Sequence, residues 1–210
     1  MENGISKEFQ NDASNRISVW SGVTTVEHKG LNPGRFIQMK NNDFEFITKK
    51  YSDKIENKSS LYRIWNGLAT YGKENGSYRV EGVHPDYQFL ENETLTAGRY
   101  LNQSDIDHNE KVVVLGHKVK RDLFTDEDAI GKQIQVSGVN FKVVGVYTDP
   151  GGEREEARIF LPITTSQKVF NGGNIIRNMA FTLEPKENFE EALIESEQFS
   201  AEIQDYLKQV

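Results

Sequence analysis

Gln133-Ile134-Gln135-Val136-Ser137-Gly138-Val139-Asn140-Phe141-Lys142-Val143-Val144-Gly145-Val146-Tyr147 is the stretch that decides the class of the fold. Apolar and polar residues alternate on both sides of Ser137-Gly138, a dipeptide suited to a two-residue hairpin turn. Folding the arms across that turn sets Val136 opposite Val139, Gln135 opposite Asn140 and Ile134 opposite Phe141. Apolar meets apolar and polar meets polar, so a slip of one residue would carry the apolar set to the wrong face. Upstream, Val112-Val113-Val114-Leu115 is apolar without alternation, the pattern of a strand covered on both faces. With helical periodicities on either side, these strands read as an α+β chain.

Working outward, Phe44, Ile47, Tyr51 and Ile55 fall on one helical face, with Asn42 as the expected N-cap and Glu45 as its capping-box partner. Ile5, Phe9 and Ala13 predict a short amphipathic helix near the start, followed by a strand over 17–26 and a turn over 30–34. One strand is expected over 61–71 and, after the turn from Gly72 to Gly76, another over 77–83, stopped by Pro85. A helical turn follows over 87–90, and Val119 and Leu123 mark a short helix that closes at Phe124. Strands over 159–161, ended by Pro162, and over 179–183 flank a short helix over 166–170. Phe189, Ala192, Leu193, Phe199, Ile203, Tyr206, Leu207 and Val210 form the apolar face of a long helix over 189–210. No glycine or proline closes it, so the chain ends read as helices continuing into a longer protein, like a domain set between two membrane spans.

Composition narrows the function classes. Apolar residues make up 36% and aromatic residues 10%, enough for an ordered core, while 27% charged residues make the surface polar. The net charge of −7, with no basic stripe, argues against nucleic acid as a partner and against adhesion to an anionic membrane surface. With no cysteine, disulfides, thiolate metal sites and cysteine nucleophiles are excluded. No apolar run reaches the ~20 residues that span a bilayer.

The chain shows no phosphate-binding loop, dinucleotide fingerprint or nucleophile elbow. His28, His84, His108 and His117 form no metal-ligating pair and read as surface residues. Asp105, Asp107 and His108 cluster in a turn but lack the glycine and distal glutamate of a calcium loop, so Asp105 is expected to cap local backbone N–H groups. Asp126, Glu127 and Asp128 read as a solvated loop. Gly98 and Arg99 suggest a tight structural turn in which Arg99 binds backbone carbonyls or pairs with Asp105, the grip of an anionic ligand being the less favoured alternative. The expectation is therefore a non-enzymatic chain with no metal or other cofactor. The polar 149–156 segment is expected to be mobile, and its residues Gly151, Gly152, Glu153, Arg154, Glu155 and Glu156 are the candidate partner contact.

Several of these segments, taken in order, resemble a known family. Leu95-Thr96-Ala97-Gly98-Arg99-Tyr100 with Asp105 is similar to the glycine-arginine-aromatic element of the MacB-like periplasmic core domain. Val112-Val113-Val114-Leu115-Gly116, then Leu123-Phe124 and Ile130-Gly131-Lys132, resemble its next elements. Phe141-Lys142-Val143-Val144-Gly145-Val146 and Ile159-Phe160-Leu161-Pro162 resemble two of its strands, and Val80-Glu81-Gly82-Val83 with Tyr87 its approach to them. The resemblance is specific over 80–162.

The resemblance implies a two-lobed domain on the periplasmic side of the bacterial cytoplasmic membrane, in ABC transporter permeases of the MacB, LolC and FtsX type. A membrane-proximal porter-like lobe would comprise 1–76 plus 175–210, and an inserted α/β, sabre-like lobe 77–174. The implied role is mechanotransmission, the relay of ATP-driven movement to periplasmic partners in export or in lipoprotein and envelope processes. Its partners would be the permease's membrane helices, a fused or separate ATP-binding domain, and a periplasmic adaptor or lipoprotein, with the isolated segment monomeric. The competing readings are a binding module for a lipoprotein, peptide or cell-wall-associated partner, and a hydrolase with an unrecognised carboxylate pair.

Overall fold

The computed structural model describes residues 5–7, 16–23, 32 and 34–209. By its internal contacts the chain divides into two compact units, one containing Met1–Ser60 and Asn174–Val210, the other Leu61–Gly173. The first boundary falls earlier than 76/77. The Leu68–Tyr71 strand pairs with Gln133–Val136, and Glu74–Ser77 pairs with Leu68–Tyr71, so 61–76 is tied by its ladders to the second unit.

In the unit built from both chain ends, Arg16–Trp20 lies antiparallel to Ile5–Lys7 on one edge and to Asn178–Leu183 on the other. The first half of the Ile55–Ile64 strand follows beyond Asn178–Leu183. Helices Asn41–Lys50 and Phe189–Leu207 supply its aromatic core. Phe44 stacks on Phe181 at 6.0 Å, and Phe199 meets Phe181 and Tyr51 edge-on at 5.5 and 5.2 Å.

The start of the chain differs from expectation. Ile5–Lys7 is a strand, because it completes a ladder with Arg16–Trp20 whose backbone hydrogen bonds outweigh a weak helical period. Phe9 and Ala13 lie outside the described residues, as do 24–26 and most of the expected 30–34 turn. The first helix begins at Asn41, with Lys40 at the N-cap; Asp43, rather than Glu45, accepts the Lys40 N–H at 2.8 Å. The long helix ends at Leu207, and the carbonyl of Lys208, its C-cap, accepts a hydrogen bond from Arg35 at 2.7 Å.

The inserted unit is built around Val112–Gly116, all of whose residues are buried. This strand runs parallel to Val139–Thr148 and antiparallel to Arg158–Pro162, which is itself parallel to Arg79–Val83. Alternation sorts the side chains to two faces. Val113, Leu115, Ile159, Leu161, Val143 and Phe141 join Val119, Leu123 and Phe124 of the His117–Phe124 helix in one apolar cluster. On the other face Phe160 gathers Tyr87, Tyr147 and Tyr100, with ring centroids 5.2, 5.3 and 6.4 Å away. The Gln133–Val136 strand pairs with Val139–Thr148 in the register read from the sequence, Ile134 opposite Phe141 and Val136 opposite Val139.

The two long strands expected before this centre are each broken once. Asn66 takes a positive φ of 62° and separates Ile55–Ile64 from Leu68–Tyr71. A Cβ on Gly67 would lie 2.1 Å from the Tyr78 carbonyl oxygen, so only glycine admits that crossing. Tyr78 in turn separates Glu74–Ser77, which pairs with Leu68–Tyr71, from Arg79–Val83, which pairs with Arg158–Pro162 and with residues 62–64. The Tyr87–Leu90 turn forms where it was expected, whereas the helix expected over 166–170 begins three residues earlier, directly after Pro162, and spans Ile163–Val169.

Replacing Leu115, fully buried in the central strand, by alanine is expected to destabilise the fold by about 2–5 kcal/mol through lost burial and the cavity left behind. A free energy of unfolding in urea lowered by less than about 0.5 kcal/mol would show that the strand is not the core of its unit.

Candidate partner-contact loop and the buried charges behind it

The candidate loop leaves the Val139–Thr148 strand at Asp149, whose side chain accepts the Gly151 N–H at 2.6 Å. Gly152, at φ +74°, admits the turn into a single helical turn, Glu153–Glu156. The segment is tied down at several points. The Tyr147 hydroxyl donates to the Glu155 carbonyl at 3.0 Å, the Asp149 N–H to the Glu156 carboxylate at 3.4 Å, and Arg121 pairs with Glu153 at 2.6 Å. A Cβ on Gly116 would come within 2.0 Å of the Glu156 carbonyl oxygen, so the loop backbone lies directly on the end of the central strand. Gly151, Glu153 and Arg154 face solvent, whereas Gly152, Glu155 and Glu156 are half-buried. Only the first three are fully exposed.

Glu155 turns inward because a buried cation draws it. Arg158 opens the Arg158–Pro162 strand and is 7% exposed; its guanidinium pairs with Glu155 and, at 3.4 Å, with Glu91. Burial works against that charge, but Tyr87, Glu91, Glu81 and Tyr147 together hold its pKa above the ordinary arginine value. In the same unit Glu81, 2% exposed, accepts a hydrogen bond from Arg63 at 2.8 Å. Alternation and spacing pointed to none of these residues; the one signal was a charge at the head of an otherwise apolar strand.

Glu93 is the anomaly of this group. Both its carboxylate oxygens are buried, as is the hydroxyl of its neighbour Tyr100. Burial pushes the Glu93 pKa up to about 9; Glu91 and Asp149 add to the rise, and contacts from Tyr100 and Arg158 only partly oppose it. At neutral pH it is a neutral acid inside the protein.

The Gly98 turn belongs to the same neighbourhood. Gly98 sits at φ +69°, and a Cβ there would lie 2.1 Å from the Val144 carbonyl oxygen. Arg99 forks onto Asp105 with two bonds of 2.7 and 2.9 Å. Asp105 also accepts the Asn102 N–H at 2.9 Å, while Asn102 accepts the Asp105 N–H at 3.0 Å, capping the Gln103–Asp107 helix. The remaining members of that acidic turn are engaged locally: Asp107 accepts from Gln103 at 2.8 Å, and His108 Nδ1 lies 2.9 Å from the Ser104 carbonyl. Farther along, Glu127 accepts from Tyr71 at 3.0 Å and pairs with Lys132. His117 Nδ1 is 4.0 Å from Glu156, and His28 lies outside the described residues.

The raised pKa of Glu93 has a sign that can be measured. The folded state holds a proton that the unfolded chain releases above its ordinary value of 4.5, so stability falls as pH rises from there to about 9. Glu93→Gln is expected to flatten that slope and to exceed the parent in stability at pH 8.5 by about 1–3 kcal/mol, with the two nearly equal near pH 4. Urea unfolding at both pH values tests it, and parallel pH profiles would refute it.

Comparison with known proteins bears on the family and the fold. A family profile described as the MacB-like periplasmic core domain fits residues 1–198. The macrolide export ATP-binding/permease protein MacB of Bdellovibrio bacteriovorus is 28% identical over 82% of this chain, and the match spans 27% of that protein. An uncharacterised ABC transporter permease of Bacillus subtilis, YvrN, is 36% identical over 47% of this chain and 24% of its own length. The chain therefore spans about a quarter of these relatives. Among solved structures, the periplasmic region of MacB from Actinobacillus actinomycetemcomitans superposes with a TM-score of 0.71 at 22% identity, over 90% of this chain and 85% of that one. The extracellular domain of the Gram-positive transporter YknZ gives 0.67 at 17% identity, over 85% and 88%. The mixed α+β fold is thus that of MacB and YknZ, and the chain belongs to the MacB-like periplasmic core domain family.

Proposed function

We propose that this chain is the extracytoplasmic domain of a MacB-type ABC transporter permease and that it relays movement instead of catalysing a reaction. The observation that carries this reading is the family match over nearly the whole chain, 1–198, together with the division into two units. Both chain ends lie in one unit, the candidate porter-like lobe, and the chain enters and leaves the other, the candidate sabre-like lobe, at 60/61 and 173/174. A displacement imposed by membrane helices at the two ends therefore enters the unit to which they are attached. The inserted unit is the element that delivers it.

In this reading ATP is hydrolysed by a separate or fused domain on the cytoplasmic side, and this domain stands on the outer side of the cytoplasmic membrane. The partner is a periplasmic adaptor or lipoprotein, met in part through Gly151, Glu153 and Arg154. The rigid attachment of the 149–156 segment to Gly116, Tyr147 and Arg158 suits delivery of force, because a loosely held loop would absorb the displacement instead of passing it on.

The test uses the intact transporter in membrane vesicles. Glu153→Ser with Arg154→Ser, which keeps Glu155 and Glu156 in place, is expected to leave basal ATP hydrolysis within about twofold and to lower transport or partner-stimulated hydrolysis at least about tenfold. Unchanged transport would remove the loop from the relay. A transporter fully active after deletion of 1–210 would overturn the relay reading itself.

A further inference from the structure

The Thr94–Gly98 strand pairs with Val139–Thr148 on one side only, and among the described residues no strand pairs with its other edge. All five of its residues, Thr94, Leu95, Thr96, Ala97 and Gly98, are exposed. None is charged and none is proline. Folded proteins usually guard such an edge with lysine, proline or an inward charge, because its unpaired N–H and C=O groups are a template for another strand.

The two charged residues that flank this edge are both drawn away from it. The Glu93 carboxyl is buried, and the Arg99 guanidinium is committed to Asp105. A bulge between Val146 and Tyr147 leaves Thr96 without a partner residue, yet its hydroxyl donates to the Val146 carbonyl at 3.1 Å. The bulge that would otherwise loosen the strand is pinned from within.

We propose that the Thr94–Gly98 edge accepts an extended, uncharged segment of a partner protein as an added β-strand. Main-chain hydrogen bonds would supply the attraction, and the Thr, Leu and Ala side chains would admit small or β-branched neighbours. A second copy of this chain fits less well. Each copy carries a net charge of −7, so two copies brought edge to edge repel, whereas an uncharged segment does not. This inference rests on the reading of the chain as a partner-contacting domain and places a second contact on the same unit as the 149–156 loop.

The probe is an acetylated, amidated Thr-Val-Thr-Leu-Thr peptide with a lysine at each end for solubility, added to the 210-residue chain. At saturating peptide, amide hydrogen exchange over 94–98 is expected to slow by about tenfold or more, with the rest of the sheet unchanged. The same peptide N-methylated on alternate residues keeps the charges, loses the donors and is expected to protect nothing. Leu95→Lys with Ala97→Lys, which guards the edge without touching the core, is expected to weaken binding at least about tenfold. No protection over 94–98 at millimolar peptide, or equal protection by the N-methylated peptide, would overturn the proposal. Protection that appears without peptide and grows with protein concentration would assign the edge to a second copy. All of these results are independent of ATP coupling in the intact transporter, so each leaves the relay reading to its own test.

Discussion

Val112–Gly116 has to find partners on both edges and cover on both faces, and the rest of the inserted unit follows from that demand. Its five residues are all buried, so every backbone N–H and C=O needs a ladder partner and every side chain an apolar neighbour. Val139–Thr148 and Arg158–Pro162 meet the first requirement. The cluster around Leu123 and Phe124 covers one face, and aromatic rings around Phe160 cover the other. Its last residue has to be glycine because the Glu156 backbone lies where a side chain would be. The candidate contact loop is therefore seated on the end of the strand that organises the core.

The same unit buries charge, and does so in pairs that bind separate segments together. Arg158 joins the strand that it opens to Glu91 before the edge strand and to Glu155 in the loop. Removing such a partner would leave a buried ion without compensation, which costs far more than the pair contributes. Glu93 escapes that cost by staying protonated, with Tyr100 beside it. The pairs thereby clamp together segments that are distant along the chain.

Much of the strand layout was legible because it rests on local patterns. The hairpin register over 133–142 needed only alternation and a Ser-Gly turn, both local properties. The doubly covered Val112–Gly116 strand needed only an unbroken apolar run. What escaped was non-local. Asn66 and Tyr78 break two strands that periodicity joins, because the chain must cross there and a glycine must meet a carbonyl. The Thr94–Gly98 strand escaped because an exposed edge strand has no apolar alternation, and its sequence reads as a turn.

The sequence by itself determined the α+β class, the central hairpin and its register, and the family resemblance over 80–162, since each depends on residue types at short, regular spacing. Only the tertiary structure decided which charges are buried and which residues of the 149–156 segment face outward. Arg158, Glu91, Glu155 and Glu93 are separated along the chain, and their protonation and exposure depend on burial, which is set by the packing of segments distant in sequence.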